Sequence, residues 1–308
     1  MRYIPRTAAP RRLFVFGLGY SALVLASRLR AKGWSVAGTC RGEEKQRALA
    51  AKGIKAFLFD RGRPLEDAKA ILAGTTHLLS SAPPDAKGDA VLDHHVADIA
   101  ALPDLRWAGY LSTTGVYGDR GGEWIDESAG LHPSGARGAA RVAAERAWLD
   151  LERFGHKVHL FRLAGIYGPG RSALDSVRNG TARRIVKPGQ VFSRIHVDDI
   201  ATVLEASIAR PNAGAAYNVC DDEPAPPQDV IAYAAALLGR EPPPEIPYAE
   251  AAPTMSEMAR SFYMDSKRVA NTRIKTELDV TLAYPDYRAG LKALLAAEQT
   301  PAFGRFRP

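Results

Sequence analysis

The sequence predicts an α/β fold in which a doubly wound parallel sheet is followed by a smaller C-terminal part. Three observations predict it: short β-rich runs alternate with helical patterns through the first half, a glycine-rich turn follows the first run, and proline-rich connections appear after Pro169. Such alternation favours helices on both faces of the sheet, because each connection between parallel strands has to cross a face. The length of 308 residues suits two domains or one large α/β unit.

Each element of this pattern has its own local signal. The β-rich runs predict strands at residues 13–16, 35–39, 56–60, 77–81, 108–112 and 158–163. The helical patterns between them predict helices at 21–32, 43–52, 65–72, 89–101 and 139–154. Beyond Pro169 the pattern loosens, and we expect helices at 172–179, 197–209 and 228–238 between the proline-rich connections.

The composition limits the classes of function. Apolar residues make up 46% and charged residues 24%, which argues against extensive disorder, collagen and coiled coils. The longest unbroken apolar run, residues 230–238, is far shorter than the roughly 18 residues that span a bilayer, so no membrane partner is expected. The net charge of +7 is scattered along the chain, so no nucleic-acid partner is expected. Cys40 and Cys220 form no metal-spaced cluster, which predicts a cytoplasmic protein without a metal site.

The glycine-rich turn predicts a phosphate-binding loop. It has the spacing G-x-G-x-x-A and consists of Gly17, Leu18, Gly19, Tyr20, Ser21 and Ala22. The first glycine permits a tight turn, the second lets the backbone approach a pyrophosphate, and the small third residue lets the helix pack on the strand. The alternative is a turn that merely joins a strand to a helix.

The end of the second predicted strand indicates which dinucleotide binds. NAD sites usually place Asp or Glu there to hold the ribose diol, but this chain has no carboxylate before Glu43. Arg41 is suited to a forked contact with a 2′-phosphate, and Thr39 would add a hydroxyl. We therefore expect NADP(H) rather than NAD. The alternative is that Arg41 starts the next helix in solvent.

Three further segments carry a family resemblance. Residues 111–118, 162–170 and 194–200 read LSTTGVYG, RLAGIYGPG and RIHVDDI, and YNV follows at 217–219. In this order they resemble the extended short-chain dehydrogenase/reductase family, also called the NAD-dependent epimerase/dehydratase group, over residues 12–295. The resemblance implies a Rossmann-like dinucleotide-binding domain, a C-terminal substrate-binding part and often a homodimer. We expect a flexible leader at 1–11, a Rossmann-like domain at 12–170 to which 195–220 return, and a substrate-binding part made of 171–194 and 221–308.

The chain departs from this family at the catalytic helix. The resemblance implies that Thr113 hydrogen-bonds the reacting oxygen, and that a Tyr-x-x-x-Lys pair follows. With Glu145 as the anchor, Arg137 stands at the tyrosine position and Arg141 at the lysine position. Guanidinium keeps its proton in proteins, so neither arginine is an ordinary general acid. Tyr117 or Thr113 could instead place a hydroxyl near the nicotinamide, although substrate packing is the alternative role for Tyr117.

Further site residues complete the expected site. Asp60 resembles the family's adenine-contacting acid, and Ser80, Ser81 and Ala82 are expected to border the nicotinamide ribose. Arg137 and Arg141 lie four residues apart on one helix face, where like charges repel, and Glu145 can relieve Arg141. An anionic small-molecule substrate would relieve both. The substrate site is expected to include Arg171, Arg194 and His196, and His196 also matches a family position that usually packs between domains.

The expected function follows from these residues. We expect an NADP(H)-binding oxidoreductase or epimerase that acts on a small polar substrate, anionic or similar to a nucleotide sugar, without the usual Tyr-x-x-x-Lys pair. The alternative is a redox sensor or scaffold that binds NADP(H) without catalysis. Turnover by purified protein against carbonyl compounds and nucleotide sugars separates the two.

Overall fold

A computed structural model describes residues 11–299 of the chain. Seven parallel strands form the main sheet, and helices pack on both of its faces. This confirms the predicted Rossmann-like α/β fold. Of the flexible leader expected at residues 1–11, all but Arg11 lies outside the described residues.

The elements are numbered here in chain order. The strands are β1 (Arg12–Phe16), β2 (Ser35–Cys40), β3 (Lys55–Leu58), β4 (His77–Ser80), β5 (Trp107–Thr113), β6 (Trp124–Ile125), β7 (Val158–Leu163), β8 (Gly165–Tyr167), β9 (Arg184–Val186), β10 (Arg194–His196), β11 (Ala216–Val219), β12 (Glu245–Pro247) and β13 (Arg268–Val269). The helices are α1 (Tyr20–Ala31), α2 (Glu43–Ala51), α3 (Ala68–Leu72), α4 (Ala90–Ala100), α5 (Ala136–Leu149), α6 (Ala173–Arg178), α7 (Val197–Ala209), α8 (Pro227–Leu237), α9 (Tyr248–Ala251), α10 (Glu257–Met264), α11 (Thr272–Thr276) and α12 (Tyr287–Gln299).

The strand order places a crevice beside β1. The main sheet runs β11-β7-β5-β4-β1-β2-β3, so the chain leaves β1 toward β2 and β3 and then returns to pair β4 on the other side. In open parallel sheets, ligands bind outside the carboxyl ends of the strands where the order reverses. Here that point lies between Phe16 and Ser80, which are register partners at the ends of β1 and β4.

Two apolar layers hold the sheet between helices. One face packs against α1, α2 and α7 through residues such as Leu25, Leu49 and Leu204. The other face packs against α3, α4 and α5, where Trp148 is fully buried. Because both faces are covered, β1 is apolar at nearly every position instead of alternating.

The C-terminal part has its own apolar cluster, formed by α6, α8 and α12. Three two-stranded parallel sheets, β10-β8, β12-β9 and β13-β6, connect its segments. Strands of two or three residues leave little periodicity, and none of these six was predicted as a strand. The predicted helix at 139–154 ends at Leu149 and continues as a 3-10 turn to Phe154. No helix within residues 11–299 is long and apolar enough to cross a membrane.

Candidate functional site

The glycine turn lies at the reversal point of the sheet. Gly17 has a left-handed φ of +85°, and a Cβ there would approach the Ala82 nitrogen to 3.1 Å. Its amide donates to Thr39 Oγ1 at 2.8 Å, and the Leu18 amide donates to the Thr39 carbonyl at 2.8 Å. A side chain at position 17 would be strained by its φ and crowded by the end of β4, so this position favours glycine.

The start of α1 fits a pyrophosphate. Gly19 is the N-cap without a side-chain bond, and the first amides of a helix have no intrahelical partner. A Cβ at Gly19 would have no neighbour closer than the Gly17 carbonyl oxygen at 3.9 Å, so open space lies in front of the turn. Leu18 and Ala22 pack into the apolar core, and Ser21 is buried beside them. Free amides facing open space are the arrangement that binds phosphate groups.

Tyr20 extends from this turn toward the C-terminal part. Its hydroxyl donates to the Pro169 carbonyl at 3.1 Å, across 149 residues of sequence. The Arg171 guanidinium lies 5.9 Å from the centre of the Tyr20 ring. Tyr20 therefore connects the glycine turn to the segment that follows β8.

The residues after β4 only partly match the expected ribose contacts. Ser81 and Ala82 are half-buried, and their backbone lies directly beside Gly17. Ser80 is fully buried in the sheet, so its hydroxyl does not face the turn. The expectation for Ser80 is therefore corrected, because its side chain points to the core side of the strand.

At the end of β2, Arg41 and Thr39 have different environments. Arg41 is exposed directly after the last strand residue, Cys40. Thr39 is buried and its hydroxyl accepts a hydrogen bond from the Gly17 amide, so the expected contribution of Thr39 to a 2′-phosphate site is not made.

Asp60 lies in the turn after β3 and has partners within that turn. Its Oδ1 accepts a hydrogen bond from the Gly62 amide at 3.0 Å, and its Oδ2 pairs with Arg63 at 3.0 Å. Asp60 therefore stabilises its own turn, and its expected contact with adenine stays a prediction.

Thr113 ends β5 and Tyr117 follows it, but the two differ in accessibility. Thr113 Oγ1 accepts the Gly115 amide at 3.1 Å, which leaves the hydroxyl proton available to donate to another oxygen. Tyr117 is fully buried; its hydroxyl donates to Asn218 Oδ1 at 2.7 Å and accepts from Arg162 Nη1 at 2.8 Å. Burial raises the pKa of Tyr117 to about 12. Tyr117 therefore lies in the interior and not at the crevice edge where the sequence placed it.

The two arginines on α5 also differ from expectation. Arg141 Nη1 donates to the Leu111 carbonyl at 2.6 Å and to the Tyr110 hydroxyl at 3.1 Å. Glu145 does not relieve it, because Glu145 is buried and pairs with Arg162 at 2.9 Å. Arg137 is exposed, and no ion pair of its side chain is found among residues 11–299. The predicted Arg141–Glu145 pair is therefore wrong.

A cavity of about 560 Å³ lies in the C-terminal part. Three arginines line it, together with Tyr167, Gly170, Ser172, Ala173, Asp175, Ser176, Asn179, Thr181, Pro227, Val230, Ile231, Tyr287 and Leu291. The arginines are Arg171, Arg183 and Arg194, so the structure brings two of the predicted substrate residues together. Arg137 and Arg141 do not line it. His196 does not either: it is buried, and its Nδ1 accepts the Asp198 amide at the start of α7.

Comparisons with known proteins agree with this geometry. No family model matches the chain. A functionally unknown conserved protein from Silicibacter pomeroyi DSS is 52% identical, with a TM-score of 0.86 over 93% of this chain and 99% of that one. A protein provisionally described as an NAD-dependent epimerase/dehydratase, from Methylobacillus flagellatus, is 25% identical, with a TM-score of 0.71 over 95% of this chain and 100% of that one. The protein YeeZ from Escherichia coli K12 is 28% identical over 248 residues, 76% of this chain and 86% of YeeZ.

The chain has the extended short-chain dehydrogenase/reductase fold, and its similarity to the Methylobacillus flagellatus protein and to YeeZ fits an atypical member of that family. It departs from the family pattern between Pro133 and Glu145, where the segment contains no tyrosine and no lysine. Among residues 11–299, no group of three or more His, Cys, Asp or Glu side chains is arranged to hold a metal ion.

A buried carboxyl group lies behind the cavity wall. Asp221 donates its backbone amide to the Arg194 carbonyl at 2.7 Å. Neither oxygen of the Asp221 side chain has a hydrogen-bond partner in the described part of the chain. Burial raises the pKa of Asp221 to about 8, although the charge of Arg194 opposes the increase. The group is therefore protonated near neutral pH.

Several cavity residues were not predicted from the sequence. Asp175 caps α6 together with Ser172, and the S-x-x-D spacing of that capping box was a signal that could have found it. Arg183 directly precedes β9 and reaches the cavity. Tyr287 comes from α12, more than a hundred residues away from α6, and no local pattern indicates it.

Proposed function

We propose that the protein is an NADP(H)-dependent oxidoreductase or epimerase that acts on a small anionic substrate. The observation that carries this proposal is the glycine turn at the reversal point of the sheet, beside a β2 end that has Arg41 and no carboxylate. The Methylobacillus flagellatus protein, described as NAD-dependent, supports a nicotinamide dinucleotide at this turn.

The preference for the phosphorylated dinucleotide rests on charge. A carboxylate at the end of β2 would bind the ribose diol of NAD and repel a 2′-phosphate. The last residue of β2 is instead the buried, uncharged Cys40, and the exposed Arg41 follows it. The guanidinium fork matches phosphate oxygens, and its charge strengthens the hydrogen bonds. These residues favour NADP(H) over NAD(H).

Replacing Arg41 by Ala is the direct test of this preference. We expect Arg41→Ala to weaken NADPH binding by about 10–100-fold, because a hydrogen bond to a charged group contributes about 1.5–3 kcal/mol. NADH binding is expected to change by less than about threefold, because NADH has no 2′-phosphate. Titration of cofactor fluorescence measures both dissociation constants.

A matched control for this experiment lies on α2. Arg47→Ala removes an exposed arginine of α2 whose only ion pair among residues 11–299 is a 3.9 Å contact with Glu43, and it should leave both affinities unchanged. Equal affinity of the wild-type protein for NADPH and NADH would refute the proposed cofactor.

The chemistry at the site assigns roles to Thr113 and Arg141. A bound nicotinamide supplies hydride transfer. The Thr113 hydroxyl donates to the carbonyl or hydroxyl oxygen of the substrate, since its other hydrogen bond is an accepted one. Arg141 is held by the Leu111 carbonyl two residues before Thr113, and its fixed charge favours negative charge on that oxygen. Neither residue matches the family's tyrosine as a proton donor, so the proton that balances hydride transfer would come from water, while Thr113 and Arg141 stabilise the charge on the oxygen.

The cavity supports an anionic substrate. Its lining carries three arginines against one aspartate, which leaves an excess of positive charge. Arg194 Nη1 donates to the carbonyls of Phe192 and Ala225, so part of its guanidinium is fixed in the wall. Arg171 is exposed at the opening and stacks on Tyr20, next to the glycine turn. An anion bound in the cavity would therefore lie close to Arg171. Tyr20 connects Arg171 to the glycine turn at which the cofactor is proposed to bind.

A ligand screen tests this part of the proposal. With NADPH present, carboxylated and phosphorylated compounds are expected to raise the melting temperature, whereas their neutral analogues should not, because binding to the folded state stabilises it. Arg171→Ala is expected to reduce the shift, and Arg178→Ala, whose guanidinium pairs with Glu298, is the matched control. A flat response across all anions would count against an anionic substrate.

A further inference from the structure

A tight turn after β3 brings a second arginine to the end of β2. Asp60 and Arg63 exchange backbone hydrogen bonds, with the Asp60 amide 3.1 Å from the Arg63 carbonyl and the Arg63 amide 3.0 Å from the Asp60 carbonyl. The Gly62 amide donates to Asp60 Oδ1 at 3.0 Å inside the turn. These three bonds fix the backbone from which the Arg63 side chain starts.

The guanidinium of Arg63 is then aimed at Arg41. Its Nη2 donates to the Arg41 carbonyl at 2.7 Å and to Asp60 Oδ2 at 3.0 Å. Within residues 11–299, Nε and Nη1 of Arg63 make no hydrogen bond, and the side chain is 44% exposed. One edge of the guanidinium therefore holds the turn while its other donors face solvent.

The strand register places these donors where a 2′-phosphate is expected. β2 and β3 are parallel neighbours, and Cys40 is the register partner of Leu58, so their carboxyl ends share one edge of the sheet. Arg41 follows β2 and Arg63 follows β3 at that edge. Burial raises the pKa of the Cys40 thiol, and the charges of Lys45 and Arg63 oppose this increase. Positive charge from α2 and from the turn therefore reaches the last residue of β2.

We propose that Arg63 is a second arm of the 2′-phosphate site and determines cofactor specificity together with Arg41. This inference rests on the proposed function and adds a residue that no local sequence motif indicates. Asp60 is the positioning residue, since it holds Nη2 and leaves the remaining donors of Arg63 to the phosphate. Two guanidinium groups, one after β2 and one after β3, would supply enough charge-assisted donors for a dianionic phosphate with three acceptor oxygens.

The alternative is that Arg63 only stabilises its turn, and a selective readout separates the two roles. Wild type, Arg63→Ala and the control Arg47→Ala are titrated with NADPH and NADH, and adenosine 2′,5′-bisphosphate and ADP serve as competitors. We expect Arg63→Ala to weaken NADPH and adenosine 2′,5′-bisphosphate by at least about tenfold, while NADH and ADP change by less than about twofold. Equal weakening of all four ligands, or of none, would overturn the inference.

Two further variants keep the test decisive. Arg63→Lys retains the charge without the fork and is expected to fall between wild type and Arg63→Ala, which covers the case that the alanine variant fails to fold. In Arg41→Ala the preference for NADPH should be reduced but not lost. If wild type prefers NADPH and only Arg41→Ala removes that preference, the role of Arg63 fails and the proposed cofactor stands. If wild type binds both dinucleotides equally, the proposed cofactor itself fails.

Discussion

Replacing Glu145 by Ala is expected to lower the free energy of unfolding by about 3–5 kcal/mol, because it leaves a buried guanidinium without its counter-charge. Glu145 is 2% exposed and Arg162 is 6% exposed. Glu145 accepts hydrogen bonds from Arg162 Nε and Nη2 and from Ser112 Oγ. Chemical denaturation at neutral pH measures the loss.

The matched control for Glu145 is an exposed ion pair. Glu43→Ala breaks the 3.9 Å contact with Arg47 on α2 and should cost less than about 1 kcal/mol. The double variant Glu145→Ala, Arg162→Met should be more stable than Glu145→Ala alone, since it removes the stranded charge. A loss below about 1 kcal/mol for Glu145→Ala would show that the pair contributes little.

Stability is also expected to fall as the pH rises from about 4 to about 8, with Asp221 as a main cause. The pKa of Asp221 is raised to about 8 by burial, whereas an aspartate in an unfolded chain titrates near pH 4. Between these values the folded protein holds a proton that the unfolded chain has lost, so each pH unit removes up to about 1.4 kcal/mol. Below about pH 4 the contribution is fully present, and above about pH 8 it is lost.

Asp221→Asn removes this titration, since an amide stays neutral throughout. The variant should gain stability relative to wild type as the pH rises from 5 to 8, measured by urea denaturation at each pH. Asp279→Asn is the control: its side chain is 79% exposed, and Asn tolerates the left-handed φ of 57° at that position. Parallel pH profiles for wild type and Asp221→Asn would exclude Asp221 as the cause.

Much of the fold could be predicted because its signals are local. The helix at 197–209 has the predicted bounds, and the glycine turn directly follows β1 as predicted. Long apolar strands and helices of several turns carry their periodicity in consecutive residues. The C-terminal part was harder, because its strands have two or three residues and are defined by partners far along the chain.

The site residues that were mispredicted depend on contacts between distant segments. The i, i+4 rule paired Glu145 with Arg141, but Arg162 of β7 is the register partner of Ser112 on β5, directly beneath Glu145. A fully buried pair with several hydrogen bonds is favoured over an exposed helical one. Tyr117 likewise meets Asn218, 101 residues away. Such pairings depend on sheet order, which local spacing does not specify.

The return of β11 to the main sheet determines which segments of the chain can accept mutations without disturbing the fold. Between β7 and β11 the chain leaves the main sheet and then returns to it, and this segment is called the excursion here. β11 pairs with β7, and α7 packs on α1, so both ends of the excursion are anchored on the part of the fold that carries the glycine turn. Mutations within that excursion can reshape the cavity wall while the anchored ends keep their register. Under the proposed function, such mutations, together with changes in α8 and α12, would alter the substrate that binds, whereas a change of cofactor would require substitutions near Arg41.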